Sequence, residues 1–332
     1  MLLKAQPEDF VVEELPQQWV LEGEKGPYTY FRLTKRDLTT EEAIRRIAKR
    51  LGRERKLFGY AGAKDRRALT TQYCSVRGPL HPLEEPGLKA EPCGAGNEPL
   101  SLGQLLGNRF TIRVREAPCT PEPMANIPNY FDEQRFGVNG DNLRIGEALL
   151  RRDFRSAAEL AMESAHIRDA GPLMERNDWV GALRLIPKKT LLFYLHSVQS
   201  LLFNRLLDAG IRLHAKEFSE IDIPHCGRMA VPSTTADMER VLPIVGFGTD
   251  LSTEKEWVRS AATELLKGAV PRDFLIRQMP EVSGEGSQRE TFVQPAGLRI
   301  SAEGEDVLLS LTLPPGSYAT IAVKALFAAN PR

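Results

Sequence analysis

Nowhere in the chain do apolar residues run unbroken to the roughly 18 that a membrane-spanning helix needs. The opening MLLKAQPEDF carries no apolar signal region before it turns acidic. Cysteine is scarce. Cys74, Cys93, Cys119 and Cys226 stand far apart, so the close pairs of a structural zinc site are missing, and the expectation is four reduced thiols. Net charge is absent as well, with 44 basic against 44 acidic residues. The sequence contains no HExxH, no GxxxxGK[ST] and no GxSxG. Gly246 and Gly248 begin a GxG, but Leu251 stands where a dinucleotide fingerprint needs its third glycine. These gaps exclude the familiar metal, nucleotide-driven and redox-cofactor machineries and leave carboxylate chemistry. The expectation is a cytoplasmic, soluble protein with no metal and no cofactor.

Charge is concentrated even though its sum is zero. Between Arg45 and Arg67 there are ten basic residues and only two acidic ones, Glu54 and Asp65. Such a patch on a neutral chain is what phosphate binding requires, although a solvated helix face reads similarly. Asp65 lies inside FGYAGAKDRRALTTQ, wedged among Lys64, Arg66 and Arg67 just after an Ala-Gly-Ala run. A carboxylate so placed either caps a turn or does chemistry.

Periodicity orders the rest. Residues 8–15, 29–35, 72–78 and 108–116 alternate as strands, and in the last Phe110, Ile112 and Val114 face one way while Arg109, Thr111 and Arg113 face the other. Thr39 and Glu42 have capping-box spacing ahead of a helix over 39–52, stopped by Gly52. Residues 79–104 read as a loop or irregular hairpin. Helical patterns cover 142–163, 191–210 (ended by Gly210) and 254–267, while 217–249 is broken by proline and glycine. A strand returns at 306–313, and a last helix follows with Ser317 as its N-cap. Strand-rich ends around a helix-rich middle predict an α+β protein with a mostly antiparallel sheet and an inserted second domain.

PEDFVVEE, AGAKDRRALTTQ, GNRFTIRVRE, IPNYFDEQRFG and LPPGSYAT, in this order, resemble the motif series of the TruD family of tRNA pseudouridine synthases. The resemblance spans nearly the whole chain. It implies a pseudouridine synthase catalytic domain, a mixed sheet flanked by helices, formed by 1–136 and 284–332. A largely helical inserted domain would occupy 137–283. It implies cofactor-free isomerisation of a tRNA uridine, typically at position 13, with tRNA as partner and a monomeric protein. Asp65 matches the family's aspartate, acting as nucleophile or as base at the ribose C2′. Phe10, Asn108, Phe110 and Tyr318 match positions that hold the base, and Lys64, next to the aspartate, is a further candidate for substrate binding. Arg45, Arg46, Lys49, Arg66, Asn129 and Arg135 are candidate RNA contacts.

The sequence departs from the family pattern in places. Arg66 replaces a frequent lysine, Tyr318 replaces a frequent phenylalanine, and 79–104 is short of basic residues. Phe10 and Phe110 also fit plain core positions, and the segment from Asn129 to Phe136 fits a brace for the pocket wall. Two competing functions remain: a non-catalytic RNA-binding module carried by the basic helix, and a cofactor-free glycosidic hydrolase, which would release free uracil.

Overall fold

The computed structural model describes residues 1–23, 25–137, 139–165, 170–234 and 236–329. They divide into two compact units. One comprises Met1–Ala125 with Gln294–Ala319. The other comprises Asn126–Val293 with the segment that begins at Thr320.

The first unit is built on a nine-stranded sheet. Its centre is the strand Phe10–Pro16, antiparallel to Leu105–Val114 on one side and parallel to Leu69–Arg77 on the other. Every other pairing in the sheet is antiparallel, as expected. In Leu105–Val114, Phe110, Ile112 and Val114 are buried, so the alternation read from the sequence holds. Asp306–Leu313 pairs with that strand and with Ala296–Glu303, which the sequence pattern did not reveal. Residues 79–104 contain a hairpin, Leu83–Glu85 with Leu88–Gly96. Its second strand joins the sheet on Tyr28–Arg36 through a register shift between Tyr30 and Phe31.

Thr40–Arg50 is the helix that covers the sheet. Thr39 accepts from the Glu42 backbone N–H, and the Glu42 carboxylate accepts from the Thr39 N–H at 2.8 Å, satisfying two orphan donors. Glu41 and Glu42 at its start and Lys49 and Arg50 at its end complement the helix dipole. Ala43, Ile44, Ile47 and Ala48 bury its apolar stripe against Phe31, Leu33, Phe58 and Val76 of the sheet. Arg45, Arg46 and Lys49 lie exposed, as their helical spacing requires.

The second unit is mainly helical. Lys188–His214 is its axis, with Asp141–Leu150 and Glu256–Leu265 packed on it. Ile145, Leu149, Leu195, Phe274, Ile276 and Met279 belong to its core. The stretch expected as one helix over 142–163 is two, Asp141–Leu150 and Phe154–Ala165, broken at Arg152, whose φ is 63°. The long helix does not end at Gly210 but runs on to His214. Gly210 is an interior residue where a Cβ would stand 2.7 Å from Cη2 of Trp257, so its bare backbone serves close packing instead of termination. The region 217–249, broken in pattern, holds strands: Phe218–Ile223 pairs with Gly227–Pro232, and Val241–Ile244 pairs with Ser287–Glu290. The final helix is Ala319–Ala328 and so begins two residues after Ser317, the residue expected to cap it.

Candidate functional site

The parallel pairing aligns Val11 with Leu69. The segments that lead into these strands, 4–10 and 61–68, therefore meet at the same end of the sheet. There the Lys4 ammonium donates to Oδ2 of Asp65 at 2.5 Å and lies 4.1 Å over the Phe10 ring. Phe10 meets Phe110 edge to face, with centroids 6.0 Å apart. The Asp65 side chain is 27% exposed, enough for a ligand to reach the carboxylate. Lys4 is held with φ 55°, a left-handed conformation that costs a non-glycine residue of order 1 kcal/mol. Backbone bonds between Leu2 and Arg115, at 2.8 and 3.1 Å, fix the chain just ahead of it.

Phe10 follows a buried anchor. The Asp9 carboxylate accepts two bonds from the Arg115 guanidinium, at 2.9 and 2.8 Å, and one from the Gln6 N–H at 3.0 Å. The Arg115 hydrogen bond holds the Asp9 carboxyl below the usual range against the opposing cost of its burial. In the EDF motif, then, the aspartate anchors the segment and Phe10 packs into the core with 2% of its surface exposed, the plain core position the alternation also allowed.

Asn108 sits on the same strand face as Phe110, two residues away, and opposite Glu14 in register. Its Oδ1 is buried and has no hydrogen-bond partner. An acceptor left in that condition is costly unless a ligand completes it. Glu14 cannot do so: its buried carboxylate accepts from the Lys64 ammonium and from the Tyr73 N–H at 3.1 Å. Lys64, expected beside the substrate, is thus engaged inside the fold, with its side chain 7% exposed. The Asp65 loop is further tied by the Lys64 N–H to Thr40 Oγ1 at 2.9 Å, by Thr40 to Gln72 at 2.7 Å, and by Gln72 to the Gly62 carbonyl at 2.9 Å. Tyr318 is half-buried immediately before the last helix.

The candidate RNA contacts fall into two groups. Arg45, Arg46, Lys49 and Arg66 are exposed on the first unit. Arg45 is also paired with Glu41 at 3.0 Å, a carboxylate it shares with Arg55. Asn129 and Arg135 belong to the second unit. Asn129 is buried and committed: its Nδ2 donates to the Glu290 carbonyl, and its Oδ1 accepts from Arg289 at 2.7 Å. Phe131 is clamped through its backbone by the Asn204 amide, and Tyr130 donates to the Ala230 carbonyl. These residues of PNYFDEQRFG brace the unit. Arg135 stacks on Phe131 and Phe193, donates to Ser200, and lines a cavity of about 290 Å³ with His196, Ser283 and Ser287. Burial, with the nearby Arg135 cation, pushes the His196 imidazole below its usual range.

Sequence reasoning missed Lys4, Asp9, Arg115, Glu14 and Lys35. The sequence could not show their roles, because each has a partner distant in the chain: Lys4 and Lys35 meet Asp65, Asp9 meets Arg115, and Glu14 meets Lys64. Among the described residues no helix is long and apolar enough to cross a membrane, and no group of three or more His, Cys, Asp or Glu side chains could hold a metal ion.

The family model for tRNA pseudouridine synthase D (TruD) matches residues 1–171 and 171–326. A probable tRNA pseudouridine synthase D of Methanopyrus kandleri is 30% identical, over 92% of this chain and 86% of its own length. A tRNA pseudouridine synthase D of Geobacter sp. (strain M21) is 30% identical over 96% of this chain and 94% of its own. The crystal structure of the putative tRNA pseudouridine synthase D from Methanosarcina mazei superposes with a TM-score of 0.69, covering 98% of this chain and 93% of that one at 24% identity, and so shares its fold. With the family model matched from the first residue almost to the last, this chain belongs to the TruD family.

Proposed function

We propose that this protein isomerises a uridine in tRNA, the nucleotide at position 13, to pseudouridine, with Asp65 as the reacting group and no cofactor. The reaction breaks the C1′–N1 bond, turns the base, and joins C1′ to C5. C5 gives up a proton and N1 gains one, so the atoms balance without an oxidant or a metal. Asp65 acts either by attack of its carboxylate on the nucleotide or by removal of the ribose C2′ proton. Both roles need an ionised oxygen held still, and the Lys4 ammonium supplies the hold.

One observation carries the reading: a reachable carboxylate, fixed by a cation, beside a pair of phenyl rings. A uracil taken out of its stack needs an apolar surface and a polar edge. Phe10 and Phe110 are buried in this structure, so they back the apolar wall against which the base would rest. The orphan Oδ1 of Asn108 offers an acceptor for the uracil N3–H. Tyr318 completes the base-holding set. Lys64 acts through Glu14, keeping the loop in shape.

The exposed cations Arg45, Arg46, Lys49 and Arg66 draw in the tRNA backbone, and Arg135 of the second unit is a separate candidate RNA contact. Residues 137–283 form the insertion that selects the RNA. The protein works as a cytoplasmic monomer. Incubation with unmodified tRNA, followed by chemical mapping at nucleotide resolution, tests the reading. Pseudouridine at one site is the expected product. Free uracil instead would identify a hydrolase, and salt-sensitive binding with unchanged RNA would identify a binding module.

A further inference from the structure

Lys35 is a buried charge that the reaction scheme above does not use. It lies on the strand Tyr28–Arg36 and is completely buried. Its ammonium donates to the carbonyl oxygens of Leu38 at 2.6 Å, Asp65 at 2.7 Å and Lys64 at 3.4 Å. An ammonium has three donors, and all are spent on neutral backbone oxygens. Among the described residues no carboxylate bonds to it. Burying a charge in this way disfavours folding, and an apolar side chain of similar length would fill the same space at lower cost. The three carbonyls belong to two segments: one leads into the helix Thr40–Arg50, and the other is the loop that carries Asp65.

We propose that Lys35 is a positioning residue, whose ammonium fixes the Lys64 and Asp65 carbonyls and so sets the angle at which the Asp65 carboxylate meets the substrate. The proposal rests on the reading of Asp65 as the reacting group. Asp65 is otherwise secured at its side chain by Lys4, while Lys35 takes its backbone carbonyl. Lys35 and Lys4 thus hold one residue at both ends.

The clamp has a pH limit. Burial lowers the Lys35 pKa to about 8. The titratable groups that face it are Asp65 and Lys64 on the loop, Cys74 on the strand Leu69–Arg77, a thiol kept neutral by burial, and Glu42 on the helix. Asp65 and Glu42 favour the ammonium, and Lys64 opposes it. Once neutral, Lys35 has two N–H donors for three carbonyls, and weaker ones.

The test uses the intact protein and its tRNA. Lys35→Met keeps the length and removes the charge. It is expected to lower the single-turnover rate of pseudouridine formation by a factor of roughly 10 to 100, the scale of a misplacement near 1 Å, while tRNA affinity stays within about two-fold. The wild-type rate is expected to fall above pH 8 with tRNA binding and circular dichroism unchanged, and Lys35→Met is expected to lose that alkaline fall. The wild-type profile needs no variant, so it decides even if Lys35→Met fails to fold. A wild-type rate that stays level through this range, or a Lys35→Met rate within about two-fold of wild type, overturns the proposal. Wild-type protein that makes no pseudouridine at any pH would instead overturn the reading of the site on which the proposal stands.

Discussion

Lys4→Met removes the cation that holds Asp65. The ammonium makes a charge-assisted bond at 2.5 Å and a contact with the Phe10 ring at 4.1 Å. A hydrogen bond to a charged group contributes about 1.5–3 kcal/mol. Both side chains keep some solvent contact, 15% and 27%, so the lower half of that range applies. The cation–π contact adds about 0.5–1 kcal/mol. About 2–3 kcal/mol of positional energy is therefore lost, which corresponds to a fall in kcat/KM of roughly 30- to 150-fold if that energy is expressed in the transition state. The assay is a time course of pseudouridine formation in unmodified tRNA under single-turnover conditions, with tRNA affinity measured in parallel.

A second substitution separates charge from backbone. Lys4 sits at φ 55°, where glycine is at ease. Lys4→Gly should be as slow as Lys4→Met and more stable than it. Full activity in Lys4→Met, or recovery of activity in Lys4→Gly, would refute the assignment of the ammonium as the holding group.

Asn108→Leu should cost little stability, since it removes a buried acceptor that has no partner, yet should raise KM or lower kcat by at least 10-fold; lost stability with retained kinetics would contradict the base-holding role. Asp9→Asn unpairs a buried carboxylate from a guanidinium that is one-third exposed, so it should destabilise by about 2 kcal/mol, visible as a lower thermal midpoint. The Asp9 pKa is depressed on folding, so its contribution is present above about pH 4 and lost as pH falls through the lower folded value; the wild-type advantage over Asp9→Asn should shrink in acid, and an advantage independent of pH would contradict it. Lys35 works in the opposite sense. The native state loses its proton near pH 8 and the unfolded state near 10.5, so between them the unfolded chain binds more protons and the Lys35 contribution to unfolding free energy rises with pH, by up to about 3 kcal/mol. The wild-type minus Lys35→Met difference should therefore grow from pH 7 to about pH 9.5, and a flat difference in denaturant titrations would count against it.

The frame of this protein was legible wherever a period was clean. The alternation in NRFTIRVRE and the capped amphipathic run TTEEAIRRIAKR appear in the structure as read. Asp65 was conspicuous as a lone acid among cations, but that pattern fits a turn cap as well, and only the resemblance singled it out as the reacting group. The strands within 217–249 were hidden because their prolines and glycines look like loop. Gly210 was misleading because its value lies in a contact with Trp257 on another helix. The groups that hold Asp65 could not have been found locally. Lys4 and Asp65 are 61 residues apart, and Asp9 and Arg115 are 106 apart. Only the pairing of Phe10–Pro16 with its two neighbours in the sheet brings them to one place.

The most direct measurement compares wild-type protein with Asp65→Asn on unmodified tRNA, mapping pseudouridine at each nucleotide and measuring tRNA affinity. The isosteric change keeps the loop and its hydrogen-bonding shape while removing the carboxylate charge. The expected result is one pseudouridine with wild type, none with Asp65→Asn, and tRNA affinity within a few-fold of wild type for the variant. Pseudouridine made by Asp65→Asn at an undiminished rate would contradict the account.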